Sequence, residues 1–342
     1  MCNMQVLVTG ATGFIGRHLI ERLVAAQEHV KALVRPSTEA AWLEALGVEV
    51  VRGDIGDSSA VEQAADKCGV IFHLAAKTES SGLLSRQEVR VANVQGTENM
   101  ARAALRAGVG RLVFCSSVAV YGRIAKNRLI DENTGTNPDS PYGESKVVGE
   151  QLVLSSRQRD GLPVVVARFS TVWGPGTTSW LGFFRSIASR QFRLIGKGTN
   201  YHHLVDVSDV VEGLLLCGSR KGIEGRTYIL AGSEPVQLRR LVEMIGEEVG
   251  VTSLPTNFPT APLHVYRALD KFAVSLFGRK LPRADRLALF LGDRTFDIGR
   301  ARQELHYVPR IHTKETIRRT AEWFRAQGYL PRIDGGGMPD EK

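Results

Sequence analysis

The chain reads as an α/β protein built on a doubly wound parallel sheet, and three observations predict that class. Short, almost wholly apolar and β-branched runs recur through the first half, each followed by an amphipathic stretch of helical period. That is the pattern of strands buried on both faces and joined by helical crossovers. The first run also opens straight into a turn punctuated by three glycines. After about Thr171 the alternation loosens and helical stretches dominate, so a smaller second lobe is expected to follow the sheet.

Taken in order, Val6 to Val8 lead into Gly10, Gly13 and Gly16 and a helix over Ile15 to Ala26. Val30 to Val34, Val48 to Val51 and Val70 to Leu74 supply the next strands. A helix over Gln95 to Ala107 precedes Leu112 to Ser116, and Val164 to Phe169 closes the series. Right-handed crossovers then place helices on both faces. Gly174, Pro175, Gly176 and later Pro255, Pro259 and Pro262 mark the looser region, while Val205 to Leu216 and Thr227 to Leu230 read as returns to the sheet. The expected division is therefore discontinuous: residues 1–171 and 204–232 form the sheet domain, and 172–203 and 233–332 form the mainly helical substrate lobe. Residues 333–342, which lack an apolar pattern, form a flexible tail.

Composition bounds the function. At 342 residues and 43% hydrophobic content the chain suits a globular protein. No run approaches the roughly 18 apolar residues of a membrane span, and the N-terminus lacks a signal-peptide pattern, so no membrane association and a cytoplasmic location are expected. Cys2, Cys68, Cys115 and Cys217 are scattered, suggesting core residues instead of a disulfide framework or a zinc site. A net charge of +8 invites nucleic acid, but the basic residues are not interleaved with aromatics. The groups Arg102, Arg106, Arg111 and Arg279 to Arg286 read as solvated helix faces, so nucleic-acid binding is not expected. A positive field instead suits an anionic cofactor or substrate.

The glycines have a physical reading. Gly10 makes the sharp strand-to-helix turn, Gly13 lets a pyrophosphate reach the backbone, and Gly16 lets the helix lie against the sheet. The unpaired N–H groups and positive end of that helix would hold the anion. Strand before and helix after make this a dinucleotide site.

The spacing in "TGATGFIG" resembles that of the extended branch of the short-chain dehydrogenase/reductase superfamily. The resemblance implies a Rossmann sheet and a Ser, Tyr and Lys further along. "SPYGESK" supplies Tyr142 and Lys146, four apart and so on one face of a helix after Pro141. "FCSSVAVYG" ends a strand, and the family places its serine four residues before Tyr121, which selects Ser117 over Ser116. The chemistry asks for these types. Moving a hydride at a carbon that bears oxygen requires a proton to move at that oxygen. A free tyrosine ionises near pH 10, and bringing it about 3 units lower takes about 4 kcal/mol. Lys146 and an oxidised nicotinamide would provide the positive charge, and Ser117 would hydrogen-bond the substrate oxygen.

Further cofactor positions follow from the resemblance: Thr12, Phe14 and Ile15 in the glycine loop, Asp54 and Ile55 for adenine, and Leu74, Ala75 and Ala76 beside the dinucleotide. Phe169 and Thr171 fall on the nicotinamide side, with Thr171 where the family often has Asn. The usual ribose-binding acid is replaced by Val34, followed by Arg35, Ser37 and Thr38. A guanidinium with hydroxyls suits a 2′-phosphate, so NADP is favoured over NAD, although Arg35 stacking on adenine is the other reading. His202 and His203 are adjacent on a strand and point to opposite faces, so no metal site is expected. Asp206 and Asp209 read as structural, and Asn93 as architectural near the active site.

Dehydratases of this branch carry an Asp-Glu pair after the serine, where this chain has Val118 and Ala119. The expected activity is an NAD(P)-dependent oxidoreductase acting between a carbonyl and a secondary alcohol, of the hydroxysteroid dehydrogenase or dihydroflavonol reductase kind. The alternatives are a nucleotide-sugar epimerase holding NAD tightly and a non-catalytic NADP(H) sensor. Lys77 to Ser85, Val118 to Ile124, Trp173 to Phe184, Asn200 to His203 and Arg267 are candidates for contact with the small-molecule substrate. The helices over Val94 to Leu105 and Tyr142 to Leu154 are where the family dimerises, so a homodimer is expected.

Overall fold

Seven strands, all parallel, make the central sheet that the repeated apolar runs predict. A computed structural model of the chain describes residues 5–78, 86–124, 128–251, 258–259, 269 and 292–331. Cys2, Pro255, Pro262, Arg267, the 279–286 basic group, residues 79–85 and the 333–342 tail lie outside the described residues.

From the N-terminus, β1 (Gln5–Thr9) leads through the glycine turn to α1 (Phe14–Ala25), β2 (Val30–Val34), α2 (Ala41–Ala45), β3 (Glu49–Arg52), α3 (Ser58–Ala65) and β4 (Cys68–His73). Helix α4 (Arg86–Arg90) passes through one π-helical turn, Val91–Gln95, into α5 (Gly96–Arg106). Then come β5 (Arg111–Ser117), a 3-10 turn at Val118–Tyr121, β6 (Leu129–Ile130), α6 (Pro141–Asp160), β7 (Val164–Phe169) and β8 (Thr171–Trp173). The remainder comprises α7 (Leu181–Ala188), β9 (Tyr201–His202), β10 (Leu204–Asp206), α8 (Val207–Ser219), β11 (Thr227–Leu230), β12 (Val236–Gln237), α9 (Leu238–Glu248), β13 (Thr295–Phe296) and α10 (Thr313–Ala326).

The spatial order β3-β2-β1-β4-β5-β7-β11 reverses direction between β1 and β4. The crevice beyond the strand ends at that reversal is where such sheets bind ligands. One face is covered by α1 and α8, whose Leu19, Ile20, Leu23, Val210, Val211 and Leu214 are buried against the strands. The other is covered by α3, α5 and α6, through Val61, Ala64, Met100, Ala103, Ala104 and Val153. Each Val, Leu, Ile or Met among these stabilises the fold by about 1.5–3 kcal/mol when fully buried. Helix α6 has clear local signals: Ser140 accepts from the Gly143 amide at 3.1 Å, Pro141 stands in the first turn, and Gly161 closes the end with φ +78°. A separate core, around Trp173, Phe184, Leu241, Ile245, Ile317 and Phe324, joins α7, α9 and α10.

Two expectations need correction. Thr227–Leu230 does return to the sheet, as β11 beside β7, but Val205 to Leu216 does not. There β10 pairs with β8 in its own two-stranded sheet, and the Asp206 carboxylate then caps α8 by accepting from the Ser208 amide at 2.8 Å. Val207, Val210, Val211 and Leu214 recur at helical spacing, so the segment covers the sheet without extending it. Arg111, expected on a solvated helix face, is the buried first residue of β5 and donates to Glu224 at 2.6 Å and to the Arg220 carbonyl at 2.8 Å. Among the described residues no helix is long and apolar enough to cross a membrane.

Candidate active site

The glycine turn is shaped by two close approaches. Gly10 sits at φ +71°, and a Cβ there would stand 2.9 Å from the Ala75 nitrogen, so only glycine lets this turn lie against the exit of β4. A Cβ at Gly16 would overlap the Gly10 carbonyl. Gly16 therefore lets α1 press against the turn itself, not the sheet as expected. The Gly13 amide donates to the Gly10 carbonyl at 3.0 Å, and no side chain caps α1 beyond it.

A cleft of about 680 Å³ opens at the reversal point between β1 and β4. Gly10, Thr12 and Gly13 line it from the turn, Val34 and Arg35 from the end of β2, and Asp54 and Ile55 from the end of β3. Leu74, Ala75 and Ala76 line it from the exit of β4. Its volume lies in the usual range for small-molecule sites. An uncapped helix start, a turn with no Cβ at Gly10 and Gly13, and an exposed guanidinium fit a dinucleotide with its phosphates. Sequence reading missed the far wall, Gln87, Glu88, Val91 and Ala92, which comes from the helix leading to Asn93, whereas Lys77, a substrate candidate from the sequence, lines the cleft from the segment after β4. Phe14, Ile15, Gly16, Phe169 and Thr171 do not line this cleft. Phe14 packs edge-on against His18, whose Nε2 meets the Pro175 carbonyl at 2.7 Å, so the Gly174 to Gly176 turn folds back onto α1. Phe169 is buried in the core, and Thr171 pairs with Leu204.

Ser117, Tyr142 and Lys146 lie outside the lining of that cleft. Ser117 ends β5, half-buried, and its Oγ accepts from the Ala119 amide at 3.2 Å. The start of α6 reaches this turn because residue 143 is glycine: a Cβ there would stand 2.6 Å from the Ala119 carbonyl oxygen. That contact sets the residue after Tyr142 against the turn that follows Ser117. One helical turn on, Lys146 donates from Nζ to the Cys115 carbonyl at 2.6 Å, with Nζ 5.0 Å from the Phe114 ring centre and 5.8 Å from the Tyr142 ring centre. Burial pushes its pKa down to about 8, which leaves it mostly charged at neutral pH.

A buried ion pair braces the group from behind. Arg168 of β7 donates to both oxygens of Glu150 at 2.9 and 2.6 Å, Ser116 donates to Glu150 at 2.5 Å, and Arg168 also donates to the Tyr121 hydroxyl at 2.6 Å. Strands β5 and β7, helix α6 and the Val118–Tyr121 turn are thereby locked together. Asn93, in the π-helical turn, accepts from the Lys77 amide at 2.7 Å and donates to the Lys77 carbonyl at 2.9 Å. Asp206 and Asp209 are structural as expected: besides the cap, Asp206 pairs with Arg319 at 3.1 Å, and Asp209 accepts from the Arg310 and Ile311 amides. His202 and His203 are buried with separate partners, Asn200 for the first and the Gly232 carbonyl for the second. Burial lowers the His203 pKa to about 4.

Fold and site together define an oxidoreductase class that binds a nicotinamide dinucleotide at the reversal point of a parallel sheet. The chain belongs to the NAD-dependent epimerase/dehydratase family, whose model matches residues 6–231. It is 32% identical over 317 residues to 4-hydroxy-2-methyl-3-oxo-4-farnesyl-3,4-dihydroquinoline-1-oxide ketoreductase of Stigmatella aurantiaca, covering 90% of this chain and 93% of that protein. It is 30% identical to a putative dihydroflavonol 4-reductase of a Synechocystis strain, covering 94% and 95%. Among solved structures, that of gox2253 superposes with a TM-score of 0.83 at 30% identity, covering 96% of this chain and all (100%) of that one. The UDP-glucose 4-epimerase of Thermotoga maritima has a TM-score of 0.77, covers 95% and 99%, and at 21% identity speaks for the fold alone. The chain is thus an NAD(P)-dependent oxidoreductase of the extended short-chain type.

Proposed function

We propose that the protein is an NADP(H)-dependent reductase that interconverts a carbonyl and a secondary alcohol, with Tyr142 as general acid/base. The observation that supports this reading is the approach of Gly143, next to Tyr142, to Ala119, two residues past Ser117, with the Lys146 ammonium one helical turn behind. When bound, the nicotinamide supplies or accepts the hydride. Tyr142 gives its phenolic proton to the substrate oxygen in reduction and takes it back in oxidation. Ser117 holds that oxygen as charge develops on it. Lys146, charged and held by the Cys115 carbonyl, favours the phenolate.

NADP over NAD rests on Arg35 lining the cleft beside Val34, where an acid would select the free ribose hydroxyls. The lobe division read from the sequence assigns the substrate to 172–203 and 233–332, and the separate core of α7, α9 and α10 supports it. A cytoplasmic homodimer completes the reading. Val148, 40% exposed on α6, supports pairing through that helix, and light scattering that finds only monomer would remove this part.

The test is to isolate the protein without added nucleotide, identify any bound nucleotide by mass, and titrate NADPH and NADH by fluorescence. An empty protein preferring NADPH supports the reductase. Retained NAD would favour a nucleotide-sugar epimerase.

A further inference from the structure

A single file of hydrogen bonds runs from the ends of β1 and β4 to the carbonyl of Tyr142, and its direction is set by the donors available. The Ala75 amide donates to Thr9 Oγ1 at 3.1 Å, and the Thr9 hydroxyl donates to His73 Nδ1 at 2.8 Å because the neutral ring carries its one proton on Nε2, as the Thr97 end requires. The Thr97 hydroxyl donates to the Asn93 carbonyl at 2.6 Å, and a carbonyl only accepts. His73 Nε2 must then carry the proton that meets Thr97 Oγ1 at 3.1 Å. The Asn93 amide cannot be flipped, because Lys77 presents its N–H to Oδ1 and its carbonyl to Nδ2. The second Nδ2 proton goes to Ser145 Oγ at 2.9 Å, and Ser145 donates to the Tyr142 carbonyl at 2.7 Å. Thr9, His73, Asn93, Thr97 and Ser145 are all at most 5% exposed. Every hydroxyl in the file has one proton and has used it.

We propose that Ser145, Thr97 and His73 are positioning residues of this enzyme, which tie the wall of the dinucleotide cleft to the helix that carries Tyr142. The proposal rests on the functional reading above. Thr9, Ala75 and Lys77 line the cleft, so a nucleotide seated there presses on three groups bonded to this file. Because each hydroxyl of the file has a single proton and has spent it, removing one leaves a buried partner unsatisfied and uncouples the two ends. Burial and the nearby Lys146 charge lower the His73 pKa to about 3, so the file keeps its polarity across the working pH range.

Amide hydrogen exchange of the 142–146 segment, with and without saturating NADPH, is the test. Wild type is expected to gain protection there on binding. Thr97→Val, near-isosteric, and Ser145→Ala are each expected to lose at least about half of that gain, with NADPH affinity changed less than about threefold. Thr97→Ser is expected to restore it. Unchanged protection in both broken-link variants would overturn the proposal, as would equal loss in Thr97→Ser, since a packing role would not be rescued by the hydroxyl. If neither NADPH nor NADH binds wild type, the functional reading falls separately. The proposal is then decided by the same exchange without nucleotide, where a broken link accelerates 142–146 and unchanged rates overturn it.

Discussion

Lys146 donates from Nζ to the backbone carbonyl of Cys115 at 2.6 Å, and the lysine is only 3% exposed. The contact ties α6 to the strand that ends in Ser117. It also makes stability depend on pH with a definite sign. Burial lowers the Lys146 pKa from 10.5 to about 8, so between those values the unfolded chain binds the proton that the folded one has shed. Stability of the nucleotide-free protein therefore rises with pH across that window, by up to about 3 kcal/mol, and below it the buried ammonium is a constant cost. Lys146→Met is expected to lose this slope. Thermal melts of both proteins from neutral pH to about 10 check it, and parallel profiles would refute it.

Tyr142→Phe removes one hydroxyl at the start of α6. Turnover is expected to fall by about 10²- to 10⁴-fold, the usual contribution of a positioned acid/base, with NADPH affinity nearly unchanged. Rates on a carbonyl panel, beside a fluorescence titration, separate the two effects. Retained turnover would remove Tyr142 from the mechanism.

Arg35 is exposed at the end of β2 and lines the cleft. If it meets a 2′-phosphate, Arg35→Ala loses a charge-assisted hydrogen bond worth about 1.5–3 kcal/mol, so NADPH binding weakens about 10- to 100-fold. NADH binding should hardly move. Equal loss for both nucleotides would assign Arg35 to the adenine ring instead.

The Glu150–Arg168 pair is buried and bidentate, with side chains 5% and 8% exposed. Removing one partner strands the other charge, so Glu150→Leu is expected to cost about 3–5 kcal/mol. The double variant Glu150→Leu with Arg168→Met should recover part of that. Denaturant unfolding measures both, and a strictly additive result would show that the pair is not coupled.

Gly143→Ala sets two effects against each other. Alanine is the better helix former by about 1 kcal/mol, but its Cβ would stand 2.6 Å from the Ala119 carbonyl oxygen. Helix α6 must then back away from the Ser117 turn. Turnover is expected to fall at least about tenfold, as a small misplacement of reacting groups commonly costs that much or more, while the melting temperature changes little. Wild-type turnover would mean that the contact does not position Tyr142.

The amino-acid sequence by itself determined the alternation of strands and helices, the glycine turn and the spacing of Tyr142 and Lys146, because periodicity and turn chemistry are local. It also marked the cleft positions at Arg35, Asp54 and Ala75, each following a recognisable strand. Tertiary structure decided what distance along the chain hides. Asp206 turns the chain into α8 instead of a sheet strand, since a cap and a strand end look alike until the helix has somewhere to pack. Arg111 is buried because Glu224, far along the chain, folds back to meet it. Gly16 presses on its own turn, and the file from Thr9 through His73, Thr97, Asn93 and Ser145 to Tyr142 joins residues up to 64 positions apart. Local propensity carries no record of such contacts, because a hydrogen bond between distant residues exists only once the sheet has brought its strand ends together.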